Sequence, residues 1–229
     1  MDAFTLLSWG DEGWLDEIGL GVLVTVSLAL ATAPLALLLG FVAALAKQSE
    51  HAELRLASKL YATVFRALPE LVTLFLIFFG LPLLLQAVGL NVPVPTFVAG
   101  WIALGLTLGA YCSEVFTSAF KAIPVGQYEG AQALGLRPTP TMIRVIAPQV
   151  FRVAFPGLSN LWVILVKDTA LVSTIGLAET LRQVSVAQRV TKEPFLFFGL
   201  ACLIYLVLTV SSVAVLNRWD ARMGRSTAR

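Results

Sequence analysis

Long charge-free runs dominate the chain, where a soluble helix would alternate apolar and polar residues. The first run extends from Ile18 to Ala46 and stops at Lys47. A helix that crosses a bilayer needs about 20 mostly apolar residues, because every backbone N–H and C=O must be satisfied within the hydrocarbon. This run reads as a first span, with Pro34 as a kink. It is too long and too deep in the chain for a cleaved signal peptide, and the acidic residues Asp2, Asp11, Glu12, Asp16 and Glu17 precede it where a signal peptide would be basic. The second run, Leu71 to Ser113, exceeds one helix and is broken by the turn formers Asn91-Val92-Pro93-Val94-Pro95. A fourth apolar stretch covers Phe155 to Ala178, with Lys167 and Asp168 inside it, and a fifth covers Phe195 to Leu216. The pattern predicts an all-α membrane protein of five spans, at about 18–46, 69–90, 96–120, 155–178 and 195–217. Residues 1–17 precede them, a loop at 121–154 connects the third to the fourth, and 218–229 form a tail.

Composition agrees with the spans. Hydrophobic residues make up 58% of the chain and charged residues 13%, against roughly 25% charged in a soluble domain. This excludes a soluble globular enzyme, a disordered chain and, with a net charge of +2, a nucleic-acid binder. Cys112 and Cys202 lie in apolar stretches without metal-ligand spacing. Lysine and arginine placement sets the orientation. Twelve fall between spans one and two, between three and four, and after span five; the opposite side holds only Arg182, Arg189 and Lys192. The positive-inside rule therefore puts the N-terminus outside and the C-terminus in the cytoplasm, as an odd number of spans requires. Trp9, Trp14 and Trp219 fall near the predicted interfaces.

The connection from Lys121 to Phe155 is long and contains Pro124, Pro138, Pro140 and Pro148. It divides into two short helices. One runs from about Val125 to Leu134 and ends at Gly135, a residue suited to the left-handed cap position. The other starts with Thr139 as N-cap and Pro140 as first helical residue. Gly130, Ala131 and Ala133 are small enough to let another surface approach the backbone, and Gln127, Glu129 and Gln132 offer polar contacts at the rim. An amphipathic connector lying against the membrane would read the same way.

Glu129-Gly130-Ala131, three residues, Gly135, nine residues, then Val145-Ile146-Ala147-Pro148 resembles the EAA loop of ATP-binding-cassette importer permeases. Glu129, Ala131, Gly135 and Pro148 match its pattern with spacing kept, while Gly130, Val145 and Ala147 depart by small or apolar exchanges. Phe65-Arg66-Ala67-Leu68-Pro69-Glu70-Leu71, Tyr111-Cys112-Ser113-Glu114, Lys167-Asp168-Thr169-Ala170-Leu171-Val172-Ser173 and Glu193-Pro194-Phe195 are similar to blocks of polar amino-acid permeases, most of all the histidine, basic amino-acid and opine branch. The resemblance implies a multi-pass inner-membrane permease subunit whose EAA segment is a coupling helix seated in a cleft of the cytoplasmic ATPase. It implies the coupling residues Gln127, Glu129, Gly130, Ala131, Gly135 and Pro148. Its implied partners are two cytoplasmic ATPase subunits using ATP and magnesium, a second identical or homologous permease, and an extracytoplasmic solute-binding protein that delivers the amino acid. Another polar amino acid, such as glutamine or cystine, is the alternative substrate.

Three charges sit at membrane depth, where a charge usually faces a cavity or a partner: Glu114, Lys167 and Asp168. Lys167 and Asp168, adjacent on a helix, point about 100° apart and need separate partners. Each of the three is either a lining group of the substrate path or a packing ion pair. Glu70, beside Pro69, is explained by the preference of helix N-termini for acidic residues. Gly105 and Gly109 form a Gly-x-x-x-Gly pair compatible with close helix packing. The single histidine, His51, falls in a charged loop. No phosphate-binding Gly-x-x-x-x-Gly-Lys-Ser/Thr loop occurs, so the chain is expected to carry no ATPase site and no catalytic activity of its own. The connections at 91–95 and 180–194 leave no room for a ligand-binding domain. An ion-driven carrier acting alone is the competing reading, and it leaves the 121–154 segment without a purpose.

Overall fold

The structure, a computed structural model, describes residues 3–10 and 13–225; Asp2, Asp11, Glu12 and Arg229 lie outside them. The described chain is helical. A single turn α1 (Ala3–Leu6) precedes α2 (Leu15–Lys47), α3 (Ala52–Ala67), α4 (Glu70–Ala87), α5 (Thr96–Ala122) and α6 (Val125–Ala133). Then α7 (Pro138–Pro140) runs through a π-helical segment, Thr141–Ile146, into α8 (Ala147–Asp168), which tightens to a 3₁₀ segment at Thr169–Ile175. Helices α9 (Thr180–Thr191) and α10 (Pro194–Arg225) complete it. Five helical stretches are long and apolar enough to cross a membrane: α2, α4, α5, the run from Pro138 to Ile175, and α10.

Helix α5 is the central strut, and its side chains show why. Ala99, Gly100, Ala103, Gly105, Gly109, Ala110, Cys112 and Ser113 are all buried and small, which lets α2, α4 and α8 close around it. A Cβ at Gly40 of α2 would overlap Cβ of Cys112 and stand 3.0 Å from the Gly109 carbonyl. One at Gly105 would collide with Leu35. The Gly105/Gly109 pair is therefore a packing face for α2. Polar side chains reinforce the contact: the Trp101 indole N–H donates to the Ala31 carbonyl at 2.9 Å. An aromatic cluster locks α2, α5 and α8 together, with Phe41 stacked on Phe151 at 5.2 Å and Phe116 edge-on to both.

The structure corrects the expected boundaries in five places. The fourth span does not begin at residue 155, because helical backbone already runs unbroken from Pro138. Pro156 does not interrupt it. The preceding helix begins with Arg137 as N-cap and Pro138 as first residue, two positions before the predicted Thr139 and Pro140; Pro138 forces Arg137 into an extended conformation and so sets the start. The span ends at Gly176, whose φ of +91° admits glycine readily, in place of Ala178. The residues between spans one and two are helix α3 rather than loop, with exposed His51 at its N-cap position. Helix α10 carries on to Arg225, through most of what reads as tail.

Helix α3 is held on the cores of α2 and α5 by hydrogen bonds from Ser58 to the Ala43 carbonyl (2.6 Å) and from Tyr61 to the Leu106 carbonyl (2.7 Å). Burial pushes the Tyr61 phenol up to about 12, so it stays a neutral donor. At the other end of the molecule, α9 packs on α2 and α10 through Ile18, Val184, Ala187 and Phe197. Buried Glu179 caps α9, accepting from the Leu181 and Arg182 N–H groups at 2.9 and 2.8 Å. It also accepts from the Tyr205 hydroxyl at 2.9 Å, and Thr25 of α2 bonds Thr180 at 2.8 Å. One carboxylate thus joins three helices. Burial pushes its carboxyl above the usual carboxylate range, against the lowering effect of the two backbone donors.

Two outcomes follow for purified protein in detergent. Glu179→Ala removes a helix cap and orphans the half-buried Tyr205 hydroxyl, and thermal unfolding should report a loss of about 3 kcal/mol. A folded-state carboxyl held above its unfolded value contributes stability below the unfolded value and loses it as pH rises through the folded one. Unfolding temperature should therefore fall on raising pH above the carboxylate range, and Glu179→Gln should flatten that fall. Equal slopes for both proteins would refute the assignment.

Candidate coupling and translocation sites

Helix α6 projects from the helical bundle. Its end is a Schellman turn: Gly135, at φ +76°, donates to the Gln132 carbonyl at 2.8 Å, and Leu136 donates to Ala131 at 3.1 Å. Val125, Gly126, Gln127, Glu129, Gly130, Ala133 and Leu134 are exposed, Leu134 by 83%. No atom stands within 4 Å of a Cβ built at Gly126, Gly130 or Gly135. This is an open surface of small residues with a large apolar side chain beside it. Ala131 differs, being buried against the body of the protein at 3% exposure. Its small size serves the internal contact with the π-helical segment.

Gln127 ties this surface to a span. Its amide oxygen accepts from Gln149 at 3.0 Å, and the same Gln149 nitrogen donates to the Val145 carbonyl at 2.9 Å. Pro148, the last residue of the matching pattern, is exposed in the first turn of α8. The six predicted coupling residues thus lie on α6, its cap and the start of α8.

The membrane-depth charges separate. Glu114 receives Lys47 at 2.8 Å and Arg66 at 2.9 Å, and Lys47 also donates to Ser113 at 3.0 Å. Two cations already satisfy this carboxylate. Lys167 is exposed and makes no ion pair among the described residues. Asp168, half-buried at the end of α8, meets Glu70, the first residue of α4, through a side-chain interaction. Both carboxyls line a cavity of about 10 Å³ with Thr107 and Tyr111 of α5. Sequence reasoning missed Glu70 because the helix N-terminus explained it too easily. The available signal was its place in the Pro69-Glu70-Leu71 step. It also missed Lys47 and Arg66 as the partners of Glu114, which lie 67 and 48 residues away along the chain.

A larger cavity of about 280 Å³ between α2, α5 and α8 is lined by Leu37, Leu108, Phe155, Trp162 and similar residues without one charged group. It offers nothing to recognise the paired charges of an amino acid.

The chain matches the family described as binding-protein-dependent transport system inner membrane component over residues 36–225. It is 39% identical to the nopaline transport system permease protein of Agrobacterium fabrum, over 97% of this chain and 98% of that one. It is 41% identical to the histidine/lysine/arginine/ornithine transport system permease protein of Salmonella typhimurium, over 88% and 91%. A crystal structure of an amino acid ABC transporter with histidines superposes with a TM-score of 0.82 at 30% identity, covering 97% of this chain and 99% of that one. An inward-facing methionine ABC transporter superposes at 0.73 with 15% identity over 91% and 97%, a likeness of fold alone. With five spans, a projecting short helix and matches along nearly its whole length, the chain belongs to the inner-membrane permease components of binding-protein-dependent ABC transport systems.

Proposed function

We propose that this chain is the permease subunit of an ATP-driven importer for a basic amino acid or an opine. The relatives named for nopaline and for histidine, lysine, arginine and ornithine support that substrate class. The observation that carries it is the Glu70–Asp168 carboxyl pair beside Tyr111, which suits the ammonium or guanidinium of a cationic side chain. Their cavity of about 10 Å³ holds at most a water, so α4, α5 and α8 must part to admit an amino acid.

The proposed coupling runs through one rod. The exposed Gly126–Gly130 face of α6 is the seat for the cytoplasmic ATPase, which closes on ATP and magnesium; this chain contributes no nucleotide site. Displacement of α6 is passed through the Gln127–Gln149 hydrogen bond and buried Ala131 to the π-helical segment and α8. Helix α8 spans 22 residues, roughly 33 Å, and bears Asp168 at its far end. A movement at α6 therefore reaches the carboxyl pair. The π segment is the natural hinge, since such segments break the regular ladder. A second permease, identical or homologous, completes the path, and a binding protein delivers the substrate to the N-terminal face, the outer one by the charge distribution. Glu114, matched by Lys47 and Arg66, holds α2, α3 and α5 together at the inner end.

Three substitutions test this. Gly130→Trp fills the open face without straining the backbone, and ATP-driven uptake in vesicles should drop more than about tenfold while insertion stays normal. Full uptake by that variant would exclude α6 as the seat. Asp168→Asn should raise the KM for a cationic substrate about tenfold, as loss of a charge-assisted hydrogen bond does. Glu114→Gln, by contrast, should leave KM unchanged and lower stability by about 1 kcal/mol, a partly exposed ion pair being worth little more. A raised KM in Glu114→Gln with none in Asp168→Asn would reverse the two roles.

A further inference from the structure

The ends of α2 and α5 and the middle of α3 enclose a cavity of about 360 Å³, lined by Lys47, Gln48, Lys59, Glu114, Thr117, Phe120 and Lys121. Three of these seven residues are cationic, and the one carboxylate is already shared between Lys47 and Arg66. Lys59 and Lys121 make no ion pair among the described residues, and both are exposed at the cavity mouth. A helix C-terminus favours a lysine, which accounts for Lys47 and Lys121 individually. It does not account for Lys59, in the interior of α3, nor for the convergence of all three on one hollow. The other polar lining residues, Gln48 and Thr117, are neutral and donate to the Ala44 and Ser113 carbonyls, so no negative charge in the lining balances Lys59 and Lys121.

The flank of α3 indicates the source of that anion. At 100° per residue, Arg55, Lys59 and Arg66 form one stripe, and exposed Leu56, Leu60 and Val64 form the next. Ser58 and Ala62 face the core. An amphipathic helix with adjoining basic and apolar stripes, lying between two membrane spans, is built for the bilayer interface. Lys59, the α3 residue that lines the cavity, adjoins the apolar stripe on the helix surface, so an acyl chain can run along Leu56 and Leu60 while its headgroup turns to the lysines.

We propose that this cavity binds the phosphate of an anionic phospholipid, with Lys59 and Lys121 as its main ligands and the Glu114-anchored Lys47 behind them. Basic pockets between spans on the positive side of a membrane protein recognise such headgroups. The site does not depend on which substrate is carried. It would make the packing of α3 on α2 and α5, and with it the inner end of the bundle, sensitive to the charge of the surrounding lipid.

The test uses the full chain in nanodiscs of phosphatidylcholine with and without phosphatidylglycerol, scoring bound lipid by native mass spectrometry and stability by thermal unfolding. The wild type should retain phosphatidylglycerol preferentially and unfold at higher temperature in its presence. Lys59→Gln/Lys121→Gln should weaken that retention about tenfold or more. Arg189→Gln/Lys192→Gln, at the opposite end, should leave it intact, and Lys59→Arg/Lys121→Arg should preserve it. The charge-keeping variant guards against simple misfolding. No preference in the wild type, or equal loss in the Arg189/Lys192 control, overturns the proposal. Inorganic phosphate giving the same stabilisation in phosphatidylcholine alone would make this a free-anion site and refute the lipid. Loss of ATPase association in the glutamine variant with lipid retention unchanged would give the cavity to a protein partner and refute it too.

Discussion

Close approach of α2 to α5 is the contact on which the remaining geometry rests. In a bilayer, hydrophobicity gives two helices no reason to associate, so packing of small residues and buried hydrogen bonds must supply it. Gly40, Gly105 and Gly109 let the two backbones meet, and Trp101 bridges them with a hydrogen bond to Ala31. With α2 and α5 joined, the end of one places Lys47 beside Glu114 on the other. Helix α3 then has a surface to lie on, and Arg66 arrives at the same carboxylate. A bulkier residue at Gly40 would disturb the charge cluster around Glu114 without touching a charge.

The two ends of the molecule solve the problem of buried charge differently. At one end Glu114 is neutralised by Lys47 and Arg66, and the carboxylate and Arg66 remain partly in contact with water. At the other end Glu179 is wholly buried and is held by a helix N-terminus and two hydroxyl-bearing side chains, with no ion pair among the described residues. The first leaves its carboxylate partly open to water; the second is a buried joint between α2, α9 and α10. Among the described residues the irregular helix is confined to the fourth span, at Thr141–Ile146 and Thr169–Ile175, on either side of the rod that links α6 to Asp168.

Much of this was legible along the chain. The number of spans follows from unbroken apolar runs, because hydrocarbon tolerates nothing else of that length. The cap at Gly135 follows from the one residue that accepts φ of +76° without strain. Helix α3 escaped because its apolar residues are divided between a core face and a membrane face, leaving no charge-free run to notice. The start of the fourth span escaped because Arg144 and Arg152 interrupt its hydropathy while leaving its backbone helical.

Partnership between charges is where sequence stops and tertiary structure begins. Glu114, Lys167 and Asp168 could be named as costly charges at depth from their positions, since that cost depends only on depth. Which of them is matched depends on residues far away: Lys47 and Arg66 reach Glu114 only because α2 and α3 pack on α5, and Glu70 reaches Asp168 only because α4 begins beside the end of α8. Chain order therefore determined the number of spans, the matching pattern and the turn at Gly135, which are local properties of backbone and hydrocarbon. Helix packing alone decided which carboxylates are neutralised and which stay open to a cation, because electrostatic interactions follow distance in space and not separation along the chain.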